Sequence, residues 1–127
     1  MSNKPHWRIL VVDDESAIRD LLLHLLKREG HLVQGCENGK QALELLGVIP
    51  ELPQIIILDL NMPVLDGWQF RVAQAKDPRL AAIPVIVITS AQTAEADIQS
   101  AKAAAFIVKP IQTNTLLKTL KTHVRKD

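Results

Sequence analysis

The chain has no tyrosine, one cysteine, two tryptophans and two phenylalanines among its 127 residues. The lone thiol, Cys36, excludes an internal disulfide and fits a reducing compartment, where it reads as a small buried residue. An aromatic content of 3% leaves little with which to sandwich a flat redox cofactor. Neither sign of charge dominates, because 15 basic and 14 acidic residues leave a formal charge of +1. A nucleic-acid module would show a basic excess gathered on one face. Long hydrophobic runs are missing as well. Residues 1–8 lead into only four apolar residues before Asp13, too few for a signal-peptide core or a membrane span. Internal repeats and low-complexity segments are absent. The expectation is a cytoplasmic protein with neither membrane nor nucleic acid as a partner.

What is present is a set of short apolar runs with polar ends. Ile55-Ile56-Ile57-Leu58 closes on Asp59, followed by Leu60-Asn61-Met62-Pro63. Ile9-Leu10-Val11-Val12 closes on Asp13-Asp14-Glu15, Val85-Ile86-Val87-Ile88 on Thr89-Ser90, and Phe106-Ile107-Val108 on Lys109-Pro110. An acid at the end of a buried strand faces solvent or a ligand, because burying it unpaired is costly. Between the runs lies helical periodicity. Ile18, Leu21, Leu22, Leu25 and Leu26 mark one face before Gly30, and residues 39–46 give a short helix with Ala42, Leu43 and Leu46 inward. Residues 32–36 form a weaker strand, and Pro50 and Pro53 bound the connection into the Asp59 strand. Trp68, Val72 and Ala75 mark a helix that starts after Gly67 and closes at Asp77-Pro78. An alanine-rich helix is expected over about 94–104, and Leu116, Leu117, Leu120 and Val124 stripe the last one. This (βα)5 alternation implies a doubly wound, mainly parallel α/β sheet with helices on both faces. A length of 127 residues with 47% hydrophobic content fits one such domain, burying roughly two-thirds of its unfolded surface.

Parallel strands present their C-terminal ends along one edge, where open α/β sheets bind ligands. Asp13, Asp14 and Asp59 converge there if the first and third strands are neighbours. Two carboxylates ~4 Å apart repel by about 4 kcal/mol at an effective dielectric near 20, so a proton, a lysine or a metal must be close. Oxygen donors with open positions suit Mg²⁺. Lys109 adds a positive charge and Thr89 a hydroxyl. Together they read as a phosphoryl-transfer site in which Asp59, alone on its strand, is the nucleophile.

The motifs Val11-Val12-Asp13-Asp14-Glu15, Leu58-Asp59-Leu60-Asn61-Met62-Pro63-Val64-Leu65-Asp66-Gly67, Pro84-Val85-Ile86-Val87-Ile88-Thr89-Ser90 and Val108-Lys109-Pro110, in this order, resemble the receiver domain of two-component response regulators. The resemblance covers about residues 7–125 and implies a flavodoxin-like sheet of order 2-1-3-4-5. It implies one receiver domain over residues 1–127 with no output domain, signalling by protein contact. By position, Asp59 matches the phosphoacceptor, charged by a histidine kinase or phosphotransfer protein. Asp13 and Asp14 match the acidic pair around Mg²⁺, with Asp59 and the main-chain carbonyl of Asn61 completing the protein ligands. Thr89 matches the switch hydroxyl, Lys109 the lysine that pairs with the phosphoryl group, and Pro110 a position whose preceding peptide is usually cis. The family surface that responds is the face of the fourth helix, fifth strand and fifth helix. Such a domain catalyses only its own phosphorylation and dephosphorylation and is not a turnover enzyme.

Three departures from the family pattern stand out. Phe106 occupies the switch position where many members have tyrosine, so no ring hydroxyl is available. Ser90 replaces the usual alanine, and residues 102–106 are shorter than usual and lack the common Gly-Ala-Asp turn. Phe106 and the shortened segment keep open a phosphorylation-independent adaptor on the same scaffold, whereas Ser90 is small enough to admit a phosphodonor. A haloacid-dehalogenase-type phosphatase would carry an acid at position 61, where Asn61 stands, and a cap for which the chain is too short. A flavodoxin-type electron carrier would open its first strand into a hydroxyl-rich phosphate loop, whereas Asp13-Asp14-Glu15 repels phosphate. Asp66 reads as a helix cap and Glu15 as a solvated charge at a helix start, favoured by the dipole. Trp7 reads as cover for the sheet edge. His6, His24, His31 and His123 show no metal-ligand spacing, and Lys118, Lys121, Arg125 and Lys126 read as a solvated helix end.

Overall fold

The buried strands form where the sequence is apolar without a break, whereas Leu32–Cys36, which carries Gln34 and Gly35, is a largely exposed edge strand. The computed structural model describes residues 6–126. Its strands are β1 (Arg8–Val12), β2 (Leu32–Cys36), β3 (Ile55–Asp59), β4 (Val85–Thr89) and β5 (Ala105–Val108). The helices are α1 (Ser16–Arg28), α2 (Gly39–Val48), α3 (Gly67–Lys76), α4 (Pro78–Ala81), α5 (Glu95–Ser100) and α6 (Thr113–His123). Every strand pairing is parallel, and the order is β2-β1-β3-β4-β5. This is the flavodoxin-like order that the resemblance implied.

The central strands β3 and β4 are buried at every residue, which is why they read as unbroken Ile/Val/Leu runs rather than as an alternation. Successive side chains still point to opposite faces, and this divides the core in two. Leu10, Val12, Ile56, Leu58, Val85 and Val87 pack with Ala42, Leu46, Phe70 and Ile98 on the face of α2, α3 and α5. Ile9, Val11, Ile55, Ile57, Ile86 and Ile88 pack with Leu22, Leu26, Leu116, Leu120 and Val124 on the face of α1 and α6. Each fully buried side chain of this kind stabilises the fold by about 1.5–3 kcal/mol relative to exposure. The sheet is thus a rigid platform held from both sides.

Three expectations about helices need correcting. In α1, Leu21 is exposed, and the buried stripe is Leu22 and Leu26. In α3 the inward residues are Gly67, Phe70 and Gln74, while Val72 is exposed. Gln74 is buried because it bonds: its Nε2 donates to the carbonyls of Leu80 and Ile83 at 2.9 and 3.0 Å. The Asp77-Pro78 stop does close α3, but it also opens the one-turn α4, where Asp77 Oδ1 caps the N–H of Arg79 at 2.9 Å. The alanine-rich helix ends early. α5 stops at Ser100, Lys102 takes a left-handed φ of 52°, and the alanines beyond feed into β5.

Side chains from α3 fasten this shortened segment. Arg71 donates from Nε to the carbonyl of Ala101 at 2.9 Å and from Nη2 to that of Lys102 at 2.7 Å. The indole N–H of Trp68 donates to the carbonyl of Asp97 at 2.8 Å. These bonds satisfy carbonyls that a helix end leaves open. At the opposite end of the sheet, Trp7 stacks on His31 with ring centroids 4.6 Å apart.

Candidate functional site

Register decides which strand ends meet. Val12 lies opposite Cys36 on one side and Leu58 on the other, so the residues that follow, Asp13 and Asp59, leave the sheet side by side. Asp59 pairs with Ile88 and Thr89 with Val108. The backbone N–H of Lys109 donates to the carbonyl of Thr89 at 2.8 Å, which delivers the lysine to the same edge. Asp13, Asp14 and Asp59 each offer a carboxylate oxygen, and these atoms all lie within 4.8 Å of one another. The Lys109 ammonium sits 3.6 Å from Asp59 Oδ2 and 3.8 Å from Asp13 Oδ2.

Two of these acids are held away from water. Asp13 is fully buried and Asp59 is 3% exposed, whereas Asp14 is exposed. Burial first, and then the Asp13 carboxylate, push Asp59 up to about 7; Lys109 and the Asn61 N–H pull it down, and Asp14 adds to the rise. Burial likewise raises Asp13, against the N–H of Glu15 and the charge of Lys109. For Lys109, burial works against the charge, but the hydrogen bond to Glu15 and the carboxylates of Asp59 and Asp13 outweigh it and raise the group above its ordinary value. The pocket holds more negative charge than one lysine can balance.

Two buried oxygens in this neighbourhood have no hydrogen-bond partner among the described residues, Asp13 Oδ2 and Thr89 Oγ1. An unsatisfied buried polar group costs on the order of 1–3 kcal/mol. Both orphans mark atoms that a ligand would satisfy. Three carboxylates, one of them solvent-facing, suit a hard divalent cation such as Mg²⁺ that keeps several waters, so the residues present fit the ion.

The loop after β3 is shaped to hold Asp59. Its Oδ1 accepts the backbone N–H of Asn61 at 3.2 Å, and Gly67 N–H donates to the Leu60 carbonyl at 2.9 Å. A Cβ on Gly67 would come within 2.7 Å of both the Asp59 carbonyl oxygen and Leu60 Cα, so only glycine lets α3 start this close to the strand end. Asp66 caps α3 in a reciprocal box with Gln69, as its sequence position implied. Val64 takes a φ of 72°, a left-handed conformation that a β-branched residue adopts only at a cost.

The remaining candidates fall as follows. The Lys109–Pro110 peptide is cis. Phe106 lies opposite Val87 on the edge strand and is 46% exposed, so its ring sits on the surface rather than in the acidic pocket. Ser90 Oγ lies 3.3 Å from Thr93 Oγ1, which accepts from Asn61 Nδ2 at 3.5 Å, joining the loops after β3 and β4. Sequence reasoning missed Arg19, whose Nη1 donates to the Asp13 carbonyl at 2.8 Å. It also set Glu15 aside as a solvated charge. Instead Glu15 Oε1 is the nearest acid to Lys109, at 3.0 Å. Both partners lie on other elements, and spacing alone does not reveal such pairs.

A five-stranded parallel sheet with an acidic, lysine-bearing pocket at its C-terminal edge defines the class, and the sequence profile of the response regulator receiver domain matches residues 9–121. The chain belongs to this family of two-component signalling proteins. Receiver domains work with histidine kinases or phosphotransfer proteins and with downstream targets, are not turnover enzymes in the usual sense, and typically use Mg²⁺ at an acidic pocket. Protein PilH of Pseudomonas aeruginosa is 34% identical over 115 residues, 89% of this chain and 93% of PilH. The sensory/regulatory protein RpfC of Xanthomonas campestris pv. campestris is 37% identical over 119 residues, which cover 89% of this chain and 16% of RpfC. Among solved structures, the chemotaxis protein CheY4 of Vibrio cholerae superposes with a TM-score of 0.85 at 30% identity, covering 94% of this chain and all of CheY4.

Proposed function

We propose that Asp59 accepts a phosphoryl group from a histidine kinase or phosphotransfer protein and that the protein signals through the resulting change in a contact surface. The observation that carries this reading is the meeting of Asp13, Asp14, Asp59 and Lys109 at one sheet edge, with the orphaned Thr89 hydroxyl among the buried groups there. An Asp59 oxygen attacks phosphorus, the new O–P bond forms as the P–N bond of phosphohistidine breaks, and the electron pair returns to the imidazole nitrogen, which takes up a proton. Lys109 offsets charge on the phosphoryl oxygens. Asp13, Asp14, Asp59 and the main-chain carbonyl of Asn61 would hold Mg²⁺, which supplies charge neutralisation on the same oxygens.

In this reading Thr89 Oγ1 gains its missing partner by turning to donate to a phosphoryl oxygen. That motion is felt along β4 and β5, and the responsive face is α5, β5 and α6, with Phe106 on it. Because α4 is an additional turn, these are the elements that the resemblance counts as fourth helix, fifth strand and fifth helix. Population shift between two surface states requires only that the phosphoryl group bind one of them better. No described helix is long and apolar enough to cross a membrane.

A labelling time course with phosphoramidate tests the assignment by intact mass spectrometry. Wild type should gain one phosphoryl adduct when Mg²⁺ is present and little in its absence, and Asp59→Asn should gain none. Undiminished labelling of Asp59→Asn would move the acceptor elsewhere.

A further inference from the structure

Three anionic groups compete for one ammonium, and the nearest is not in the pocket. Lys109 Nζ lies 3.0 Å from Glu15 Oε1, against 3.6 Å to Asp59 and 3.8 Å to Asp13. The Glu15 side chain is 56% exposed, whereas those of Asp13 and Asp59 are 1% and 4% exposed, so Glu15 draws the lysine outward, toward the rim. The position of Glu15 is not accidental to the pocket. Its backbone N–H donates to Asp13 Oδ1 at 2.9 Å, and its carbonyl accepts the first-turn N–H of Arg19 at 2.9 Å. Arg19 in turn holds the Asp13 carbonyl. One residue therefore orients Asp13 through its main chain and Lys109 through its side chain.

We propose that Glu15 is a positioning residue that holds the Lys109 ammonium at the rim of the resting site, leaving Asp13 and Asp59 open to a divalent cation, and releases it when Asp59 carries a phosphoryl group. The inference rests on the phosphoacceptor reading and deepens it. Without Glu15, Lys109 settles on Asp59 and Asp13 and must be displaced by any cation that binds them. With Glu15, the ammonium stays 3.6 and 3.8 Å from Asp59 and Asp13 instead of closing on them, so the buried carboxylates keep more of their attraction for the cation, and the lysine remains one side-chain rotation away from the phosphoryl oxygens. An exposed carboxylate–ammonium pair is weak enough to exchange readily.

The test is a calorimetric Mg²⁺ titration of the unphosphorylated protein, wild type against Glu15→Gln and Glu15→Asp, each also in a Lys109→Gln background. Glu15→Gln should weaken Mg²⁺ binding roughly three- to five-fold, in keeping with a partly exposed ion pair. Glu15→Asp keeps the charge but is one methylene shorter, and it should weaken binding in the same direction. In the Lys109→Gln background both effects should largely vanish, because the glutamate acts through the lysine. An unchanged Mg²⁺ Kd in Glu15→Gln would overturn the inference, as would an equal loss with and without Lys109, which would make Glu15 a simple rim charge. Phosphoramidate labelling of wild type separates the two levels. If wild type labels at Asp59 and the titrations show no coupling, only the role of Glu15 fails; if wild type does not label there, the underlying reading fails.

Discussion

Replacing Asp59, the proposed phosphoacceptor, should make the metal-free protein more stable. Asp59 moves from 3.8 to about 7 on folding, driven by burial and then by the Asp13 carboxylate. Folding therefore takes up a proton between these values, and stability falls as pH rises from about 4 to about 7, then levels off. At about 1.36 kcal/mol per pH unit, the ionised carboxylate costs the folded state roughly 4 kcal/mol at pH 8. Asp59→Asn removes that charge at nearly constant volume. The attraction of Lys109 is already included in that shift; the asparagine keeps an oxygen for the Asn61 N–H but must bury an amide NH2, so a net gain of about 2–3 kcal/mol is expected at pH 8. For a domain of this size the gain corresponds to a Tm rise on the order of 10 °C. At pH 5 wild-type Asp59 is mostly protonated, and the gain should shrink by more than half. Thermal melts of both proteins in EDTA at pH 5 and pH 8 provide the assay. Saturating Mg²⁺ should close the gap at pH 8 by stabilising wild type alone, by about 2.7 kcal/mol at a hundredfold excess over Kd. A gain equal at both pH values, or a loss of stability at pH 8, would refute the argument that uncompensated charge sits on Asp59.

Gly67→Ala should destabilise by about 2–3 kcal/mol in urea melts, because the new Cβ meets backbone atoms at 2.7 Å that cannot swing aside; it should also slow phosphoramidate labelling by shifting the Asp59 loop. Val64→Asn should stabilise by about 1 kcal/mol, since asparagine tolerates the left-handed φ of 72° and the exposed valine gives up little packing. Lower stability in the same melts would show that the valine side chain contributes more than its backbone costs.

The strand ends were legible because central parallel strands are buried on both faces, so Ile55 to Leu58 and Val85 to Ile88 form unbroken apolar runs whose first polar residue marks the edge. Order along the sheet was not legible from periodicity; it came from the motif resemblance, and the register of Val12 with Leu58 then showed how Asp13 and Asp59 meet. Helix faces were read less well. Leu21 matched the stripe by spacing yet is exposed, and Gln74, outside the stripe of Trp68, Val72 and Ala75, is buried, because a polar side chain can be interior wherever two carbonyls wait for its donors. Alanine carries no boundary signal, so the end of α5 at Ser100 was set by what the sequence could not show, the bonds from Arg71 to the carbonyls of Ala101 and Lys102. Pairing of Glu15 with Lys109 spans 94 residues and depends on both the β1 and β5 ends reaching one edge.

The distribution of satisfied and unsatisfied groups across the molecule makes the same point about function. At the far end of the sheet, Gln54 accepts the N–H of Arg8 at 3.0 Å and donates to the Arg125 carbonyl at 3.0 Å, so a nearly buried amide is fully employed in closing the fold. Gln74 does the same beneath α3. At the C-terminal edge the pattern reverses: Asp13 Oδ2 and Thr89 Oγ1 are orphaned, Asp59 is raised by uncompensated charge, and Val64 is held at a left-handed φ. Orphaned oxygens, uncompensated charge and backbone strain gathered at one edge, with Lys102 the other non-glycine residue at a left-handed φ among those described, mark a site whose partners arrive from outside. A cation and a phosphoryl group together would satisfy the acids, the hydroxyl and the lysine at once, and this edge is therefore the part of the fold with most to gain from rearranging when they bind.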